Sequence, residues 1–390
     1  MKVKSVEAVA VEGLAAPWMF CIIRTDDGIT GYSEFGEGIV ANGMAGLVKD
    51  LSRFIVGQDP RQVEKLYMDM FRGTQSVYGG ATWQAMAGIE LALWDVKAKA
   101  LGVPVYELFG GPTRTEQRVY WSHLATYQAG MAEKLGAKPI KSLDDACEII
   151  EEAKAAGYDA FKTNILIPAE KGQTWSGIRQ GRSGPHDQPL TRELLNTAVR
   201  QIKAFRETAG PDMDICLDVN VNFKAAGQIR LGQALAEHDL FWMEIDNLDA
   251  KSLRMVKDHA GVPICSGEQK LGPINYLPYY EERAMDVVKV DVQWQGFTPA
   301  RNAAKMAEVF DMNIAPHNFN GHLSTFQSMN LCASVTNVLI SESDPAQVKW
   351  RDELVTHVPE IKNGRVTIPT RPGWGTDLDE KALKKYAVKL

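Results

Sequence analysis

From about residue 117 onward, short apolar runs alternate with stretches in which apolar residues recur at helical spacing. Each apolar run ends in a polar residue, and a loop and a helical stretch lead from it to the next run. The eight runs are QRVYWSHLA, YDAFKTNIL, MDICLDVN, LFWMEID, VPICSGE, MDVVKVD, MNIAPH and NVLISE. Eight strands that alternate with helices predict an α/β fold of the (β/α)8 type, a parallel TIM barrel.

The N-terminal part of the chain has a different pattern. The runs VKSVEAVAVEG and WMFCIIRTDDGITGYSEFGEG predict an antiparallel meander, with a hairpin turn at Asp27 and Gly28. Helical patterns follow near 42–55, 60–72 and 82–101. Strands followed by helices predict an α+β domain rather than a part of the barrel.

These patterns divide the chain into three parts. We expect an N-terminal α+β domain over residues 1–116 and the barrel over residues 117–350. A C-terminal segment, residues 351–390, follows the barrel. A chain of 390 residues is long enough for such a barrel and a second domain.

Polar side chains stand at the ends of six consecutive predicted strands. They are spaced 23 to 26 residues apart, about one strand plus one helix each: Asp218, Glu244, Glu268, Asp291, His317 and Glu342. A single carboxylate after a strand is more often a helix N-cap, but six in register point to a shared site. The carboxyl ends of barrel strands form the catalytic face, so we expect these side chains to converge on one pocket.

The second barrel strand ends in FKTN, which places a lysine and an asparagine on one face. Side chains alternate across a strand, so Lys162 and Asn164 point in the same direction. We expect both in the pocket formed by the six strand ends.

Three of the strand ends provide only carboxylate oxygens. Asp218, Glu244 and Glu268 are hard ligands, without cysteine or histidine among them. Such a set selects Mg²⁺ or a similar cation over zinc, and octahedral Mg²⁺ keeps positions open for substrate oxygens.

The next two strand ends, Asp291 and His317, predict an acid–base pair. A carboxylate that accepts one imidazole N–H fixes the tautomer and raises the basicity of the other nitrogen. Lys162, on the opposite side of the barrel, can add positive charge or a second proton relay. A metal that binds a carboxylate beside a base that removes its α-proton can stabilise an enediolate.

With these residues in place, the chain resembles the mandelate racemase branch of the enolase superfamily, and its acid-sugar dehydratases such as galactonate dehydratase in particular. The likeness runs from the N-terminal domain through GIELALWDVKAKALGVPVYELFGG to the closing RPGWGTDLDE. It implies that residues 1–116 form a capping domain over the catalytic barrel of residues 117–350 and that residues 351–390 return to this capping domain. It implies one Mg²⁺ per subunit on the three carboxylates, with His317 and Asp291 as the catalytic dyad. It also implies that Lys162 is catalytic and that Glu342 is an electrophilic hydrogen-bond donor.

The same resemblance identifies departures from related activities. Racemases of this branch carry K-x-K, whereas here the second position is Asn164, whose amide cannot accept a proton at neutral pH. Galactonate dehydratases place a histidine where this chain has Asn220, and the usual E-E-P is EID, with Asp246 in an unfamiliar role. Because galactonate dehydratases are similar to this chain in carrying K-x-N, elimination of water from an aldonate or aldarate is favoured, giving a 2-keto-3-deoxy acid; the other departures leave the individual sugar acid open.

The simplest scheme has His317 act twice, first as the base and then as the acid. Four other residues could instead supply the acid: Tyr127, His123, His186 and His322. Contacts to the substrate are predicted for Asn164, Asn220, His123, Trp175, Arg182 and His186. The last three lie in a long segment, 168–190, which is either a mobile surface loop or a lid over the substrate.

Composition narrows the remaining possibilities. A net charge of −6 and a pI near 5.8 give no footprint for nucleic acid. No apolar core of a signal peptide and no membrane span is visible, so we expect a cytoplasmic protein without a membrane partner. The substrate is expected to be a small acid sugar, and the barrel to form a homo-oligomer. Five cysteines without C-x-x-C spacing indicate free thiols.

Two alternatives to dehydration remain open. One is an epimerase, racemase or lactone cycloisomerase that uses the same enediolate. The other is a catalytically inactive structural or binding barrel, although the retained buried charges would then be costly without a function.

Overall fold

The computed structural model describes residues 1–77, 79–167, 176–177 and 189–390. The N-terminal part is a three-stranded antiparallel sheet with helices packed on it. Its strands are β1 (Val3–Val11), β2 (Trp18–Thr25) and β3 (Thr30–Glu34), and its helices are α1 (Ala41–Leu51), α2 (Val63–Gly73) and α3 (Gly80–Leu101). The predicted meander and three helices are thus confirmed, and the predicted turn contains Gly28 at a φ of +94°.

Eight parallel strands follow, each at one of the predicted apolar runs. They are β4 (Glu116–Trp121), β5 (Ala160–Asn164), β8 (Asp214–Asp218), β9 (Trp242–Glu244), β10 (Ile264–Ser266), β11 (Val287–Asp291), β12 (Asn313–His317) and β13 (Ser341–Ser343). Two short strands, β6 (Leu166–Ile167) and β7 (Ser176–Gly177), pair with each other outside the barrel. The predicted TIM barrel is confirmed.

The ring closes between the last two strands. The residues just before β13 bond to β12, because Ile314 N–H donates to Asn337 O at 2.8 Å and Leu339 N–H donates to Ile314 O at 2.9 Å. β13 in turn pairs in parallel with β4, the first barrel strand. The first and last strands of the barrel are therefore neighbours, and side chains at their ends can meet.

Helices and short turns connect the strands and complete the chain. The α-helices are α4 (Thr126–Leu135), α5 (Leu143–Ala155), α6 (Arg192–Ala209), α7 (Ala225–Leu235), α8 (Ala250–His259), α9 (Pro273–Glu281), α10 (Val292–Gln295), α11 (Phe297–Val309), α12 (His322–Ser334) and α13 (Glu380–Lys385). Short 3₁₀ turns span Gly38–Val40, Ser52–Phe54, Val105–Phe109, Ala236–His238 and Lys349–Leu354. In the described part of the chain, no helix combines the length and apolar character that a bilayer crossing needs.

The C-terminal segment contacts both parts of the molecule. Its hairpin, β14 (Ile361–Lys362) and β15 (Arg365–Thr367), adds antiparallel to β4 of the barrel. Farther along, Val388 N–H donates to Ala10 O in β1 at 2.9 Å. The domain boundaries given above remain predictions, although these contacts are the kind they require.

One inward-facing layer fills the barrel below its catalytic face. Each strand or its immediate approach contributes one buried side chain: Tyr120, Ala160, Cys216, Trp242, Cys265, Val287, Ala315 and Ile340. Because side chains alternate along a strand, the residues two positions later also point inward, toward the carboxyl ends of the strands. Polar residues occupy that next layer in seven of the eight strands: Ser122, Lys162, Asp218, Glu244, Lys289, His317 and Glu342.

A carboxylate of the N-terminal sheet holds the helix that follows the His317 strand. Glu34 accepts the N–H groups of Gly321 at 2.6 Å and Ser324 at 2.9 Å, at the start of α12. Both oxygens are thereby used in satisfying orphan donors of the helix end. This contact fixes the capping sheet against the catalytic face of the barrel.

Burial raises the pKa of Glu34 from 4.5 to about 7. The folded protein therefore binds this proton more tightly than the unfolded chain, so its stability falls as pH rises from about 4.5 to about 7. A neutral Glu34→Gln variant lacks this loss. The difference in the free energy of unfolding between the variant and wild type is therefore expected to shift by about 3 kcal/mol in favour of the variant as pH rises from 5 to 8. Urea unfolding of both proteins across this range measures the difference, and parallel pH profiles would contradict the expectation.

Candidate active site

A cavity of about 470 Å³ opens at the carboxyl ends of the barrel strands. Its floor and walls include Lys162, Asp218, Glu268 and His317, which the strand-end pattern places there. The N-terminal part covers one side with Ala15, Glu37, Ile39, Gly80 and Gln84. The volume is in the range of small-molecule sites, and sections of both parts of the chain are needed to form it.

The predicted His317 and Asp291 pair is in hydrogen-bond contact. Nδ1 of His317 lies 2.6 Å from Oδ2 of Asp291, whose other oxygen accepts the N–H of Trp294 at 2.6 Å. Asp291 is fully buried and is held from both sides. An Nδ1–H donated to this carboxylate leaves Nε2 as the nitrogen that faces the cavity, as a general base requires.

Lys162 lies among three carboxylates. Its Nζ is 2.9 Å from Glu244, 3.1 Å from Glu342 and 3.5 Å from Asp218. Burial lowers the pKa of Lys162, but Glu244 and Glu342 outweigh it and hold the pKa well above its usual value. In this arrangement the lysine is a fixed positive charge, which favours the charge-stabilising role over the proton relay.

A second lysine, Lys289, completes the ionic network from below. It is fully buried in the barrel, and its Nζ lies 2.6 Å from the hydroxyl of Tyr120, 3.1 Å from Glu342 and 3.5 Å from Glu244. We did not expect this residue from the sequence. The signal was present in VVKVD, because Lys289 shares a strand face with Asp291 in the way that Lys162 shares one with Asn164.

The two lysines keep Glu342 ionised. Burial raises the pKa of Glu342, but Lys162 and Lys289 outweigh it and hold the pKa well below 4.5. The carboxylate also accepts hydrogen bonds from the Ser122 hydroxyl at 2.5 Å and the Asn318 N–H at 2.9 Å. The donor role that the resemblance implies for Glu342 remains a prediction, since it needs a proton that these contacts disfavour.

Three acidic groups meet on the adjoining strands. Asp218, Glu244 and Asp246 each place one oxygen within 4.8 Å of the others, and all three are buried. The strand-end pattern selected the first two, whereas Asp246 comes from the altered EID motif. Burial and the charges of Glu244 and Asp218 raise the pKa of Asp246 to about 8. This group of carboxylates could bind a metal ion.

Glu268 lies beside this group and faces the cavity. Its Oε2 is buried and has no hydrogen-bond partner among the described residues. His317 Nε2 is 3.3 Å away, but the geometry is not that of a hydrogen bond. Burial and the charges of Asp246 and Glu244 raise the pKa of Glu268 well above its usual value.

The four carboxyl groups of Asp218, Glu244, Asp246 and Glu268 outnumber the two lysines that contact this group, Lys162 and Lys289. Hard carboxylate oxygens, one of them without a donor in the described ranges of the chain, fit a divalent cation such as Mg²⁺. Asp218 and Glu268 line the cavity, whereas Glu244 and Asp246 are not among the described residues that line it. Asp218, Glu244 and Glu268 remain the predicted ligands, and Asp246, which meets Asp218 and Glu244, is the alternative to Glu268.

The two asparagines connect strands rather than standing free. Asn164 donates to Asp218 O at 3.0 Å and to Asn220 Oδ1 at 3.2 Å, and its own oxygen accepts from Thr126 at 3.1 Å. Asn220, at a φ of +52°, donates its amide to Asp218 Oδ1 at 3.0 Å. Both line the cavity, and their contact with substrate stays a prediction.

The remaining predicted residues fall into three groups. His123 and Tyr127 line the cavity. His322 instead pairs with Asp352 at 2.7 Å, and burial lowers its pKa to about 4, so it is not placed to donate a proton to a substrate there. The last group lies outside the described residues, together with most of the 168–190 segment: Trp175, Arg182 and His186.

Two family models match the chain. One, described as Enolase C-terminal domain-like, covers residues 145–382, and the other, described as the N-terminal domain of mandelate racemase / muconate lactonizing enzyme, covers residues 8–110. The chain belongs to the mandelate racemase branch of the enolase superfamily. The resemblance carried by the strand-end residues is thus confirmed.

Individual relatives extend this comparison. The chain is 28% identical to D-xylonate dehydratase of Haloferax volcanii over 396 residues, which cover all of this chain and 89% of the relative. It is 27% identical to D-galactonate dehydratase of Ralstonia pickettii over 93% of this chain and 89% of the relative. Both are named for the dehydration of sugar acids.

A solved structure is more similar in sequence. It is a candidate L-alanine-DL-glutamate epimerase of Burkholderia xenovorans bound to magnesium and fumarate, 37% identical, with a TM-score of 0.95. The match covers all of this chain and 97% of that one. The relatives and structures similar to this chain are therefore named both as dehydratases and as an epimerase.

Proposed function

We propose that this protein is a Mg²⁺-dependent dehydratase of a sugar acid, an aldonate or an aldarate. The observation that carries the proposal is the His317–Asp291 pair, 2.6 Å apart, in one cavity with the buried carboxylates. A single imidazole base there can remove the proton at C2 of a bound acid. The curated relatives named as dehydratases support elimination as the outcome.

Each charged group has a place in this reaction. A divalent cation held by Asp218, Glu244 and Glu268 would supply Lewis acidity to the substrate carboxylate and stabilise the charge of the enediolate. Lys162 adds a fixed positive charge at the same side of the cavity. His317 takes the C2 proton through Nε2, and loss of the 3-hydroxyl then gives an enol that tautomerises to the 2-keto-3-deoxy acid.

Asn164 favours elimination over racemisation. Inversion at C2 by two bases needs a second titratable group on the opposite face, and an amide cannot serve. Both ends of the Asn164 amide are also engaged in hydrogen bonds, one from Thr126 at the start of α4 and one to Asp218 O on the next strand. Epimerisation stays a second candidate because the solved structure with 37% identity carries an epimerase name.

A library of aldonates and aldarates separates the two functions. The protein is incubated with each acid and Mg²⁺ in D₂O, and keto acid is detected with semicarbazide while deuterium at C2 is followed by NMR. A dehydratase gives keto acid. Deuterium or an inverted centre at C2 without keto acid would establish the epimerase, and neither signal from any acid would contradict both.

The choice of Glu268 rather than Asp246 as the third ligand has a direct test. We expect Glu268→Gln to weaken Mg²⁺ binding by about 100-fold and Asp246→Asn by about tenfold, because an outer carboxylate tunes the site without bonding the ion. Calorimetric titration with MgCl₂ reads this without turnover. A larger loss for the Asp246 variant would make Asp246 the ligand.

A further inference from the structure

A second histidine–carboxylate pair lies at the same cavity, on the loop after the first barrel strand. Nδ1 of His123 is 3.0 Å from Oδ2 of Asp344, which follows the last barrel strand. The Asp344 side chain is fully buried, so its charge acts on the imidazole with little screening by water. The His317–Asp291 pair has the same arrangement: in both histidines Nδ1 contacts a carboxylate oxygen, and Nε2 is the nitrogen available to the cavity.

The imidazole of His123 is held in one orientation. It stacks on Tyr127 with ring centroids 4.2 Å apart and an angle of 9°, and it meets Phe319 edge-on at 5.9 Å. The residue also has a φ of +49°, in the left-handed region that residues other than glycine adopt infrequently. Among the described residues, Nε2 has no hydrogen-bond partner, although the ring lines the cavity.

His123 and His317 approach the cavity from nearby strands. Phe319 contacts both rings, with its centroid 5.9 Å from His123 and 5.2 Å from His317. The strand of Glu342 lies between them in the barrel. The two asparagines of the cavity, Asn164 and Asn220, carry no ionisable proton.

Building on the proposed dehydratase function, we propose that His123, positioned by Asp344, is the acid that protonates the departing 3-hydroxyl group, while His317 serves only as the base. His317 Nε2 takes the C2 proton, and the electron pair of that C–H bond enters the enediolate. This pair then forms the C2=C3 bond, the C3–O bond breaks, and the oxygen leaves as water with the proton from Nε2 of His123. Exchange with solvent returns both imidazoles to their starting states.

Charged groups hold the His123–Asp344 pair from two sides. The carboxylate of Asp344 lies 3.0 Å from Nδ1 of the imidazole. On the other side, the guanidinium of Arg351 donates to the Asp344 backbone oxygen at 2.6 Å. The contact with Asp344 occupies Nδ1 and leaves Nε2 as the nitrogen that can pass a proton to the leaving group.

The test compares exchange with elimination in the same variant. His123→Asn, supplied with an acid that the wild type dehydrates, is expected to keep exchange of the C2 proton with D₂O while dehydration falls by about 10²–10⁴-fold. A 3-deoxy-3-fluoro analogue of that acid should restore elimination, because fluoride leaves without a proton. His322→Asn, which removes an Asp-paired histidine outside the cavity, is the matched control and should keep both activities.

Asp344→Asn tests the positioning role. Removing the carboxylate that holds the imidazolium should lower kcat with little change in KM and move the alkaline limb of the pH–kcat profile toward lower pH. An unchanged limb would show that Asp344 does not act through His123.

Other outcomes would overturn the proposal while leaving the dehydratase intact. In the first, His123→Asn dehydrates the acid at the wild-type rate. In the second, the variant loses C2 exchange together with dehydration. In the third, the folded variant does not eliminate fluoride from the fluoro analogue. Selective loss of dehydration in Tyr127→Phe, with His123→Asn active, would assign the proton to the phenol. If the wild type gives neither keto acid nor exchange with any acid, both proposals fail.

Discussion

Replacing His317 by asparagine is expected to lower the rate of dehydration by about 10²–10⁴-fold, the usual contribution of a positioned general base. An asparagine can still donate toward Asp291, but it has no nitrogen that accepts the C2 proton. Exchange of that proton with D₂O should therefore disappear together with keto acid. Steady-state kinetics and NMR exchange on the same substrate measure the two effects.

The matched control for this variant is His322→Asn. His322 is also buried and paired with an aspartate, but it contacts Asp352 rather than the cavity. Its replacement should leave kcat close to wild type. Retention of C2 exchange in His317→Asn would show that another group is the base.

Replacing Lys289 by methionine is expected to destabilise the protein by about 3–5 kcal/mol, the cost of removing one partner of a buried charge pair. The variant leaves Glu342 and Glu244 ionised in the barrel interior with Lys162 as their remaining cation. Tyr120 also loses the lysine contact to its hydroxyl. Urea unfolding followed by circular dichroism measures the loss.

A surface lysine provides the control for Lys289. Lys305 is 41% exposed and pairs with Glu308 on a helix, so Lys305→Met should change stability by less than about 1 kcal/mol. The double variant Lys289→Met with Glu342→Gln should recover part of the loss, because it also removes an uncompensated carboxylate. If Lys289→Met and Lys305→Met had equal free energies of unfolding, the result would contradict a stabilising role of the buried network.

The two lysines help to explain how a barrel interior tolerates this many carboxylates. Without Lys162 and Lys289, burial would push protons onto the acidic groups, as it does at Asp246 and Glu268. The glutamates nearest the lysines instead have lowered pKa values. The site thus contains a region of fixed ion pairs beside a group of carboxyls whose pKa values are raised, and the cation is proposed to bind at this second group.

The sequence by itself determined the barrel and most of the cavity floor. Both follow from local rules: apolar runs predict strands, alternation fixes which side chain points inward, and parallel strands all end at one face. Asp218, Glu244, Asp291 and His317 were found in this way because each stands at the last position of its strand. The same alternation would have identified Lys289, because it lies two residues before Asp291 and on the same face of that strand.

Only the tertiary structure decided which of these groups touch. The His123–Asp344 contact joins residues 221 positions apart and exists because the ring closes the first strand beside the last. Asp246 joins the acidic group through the loop after its strand. Glu268, also on a loop, keeps an oxygen that has no hydrogen-bond partner in the part of the chain that the structure describes. Periodicity fixes the direction of a side chain within one strand, whereas distances between strands depend on closure, tilt and loop conformation, which no local pattern encodes.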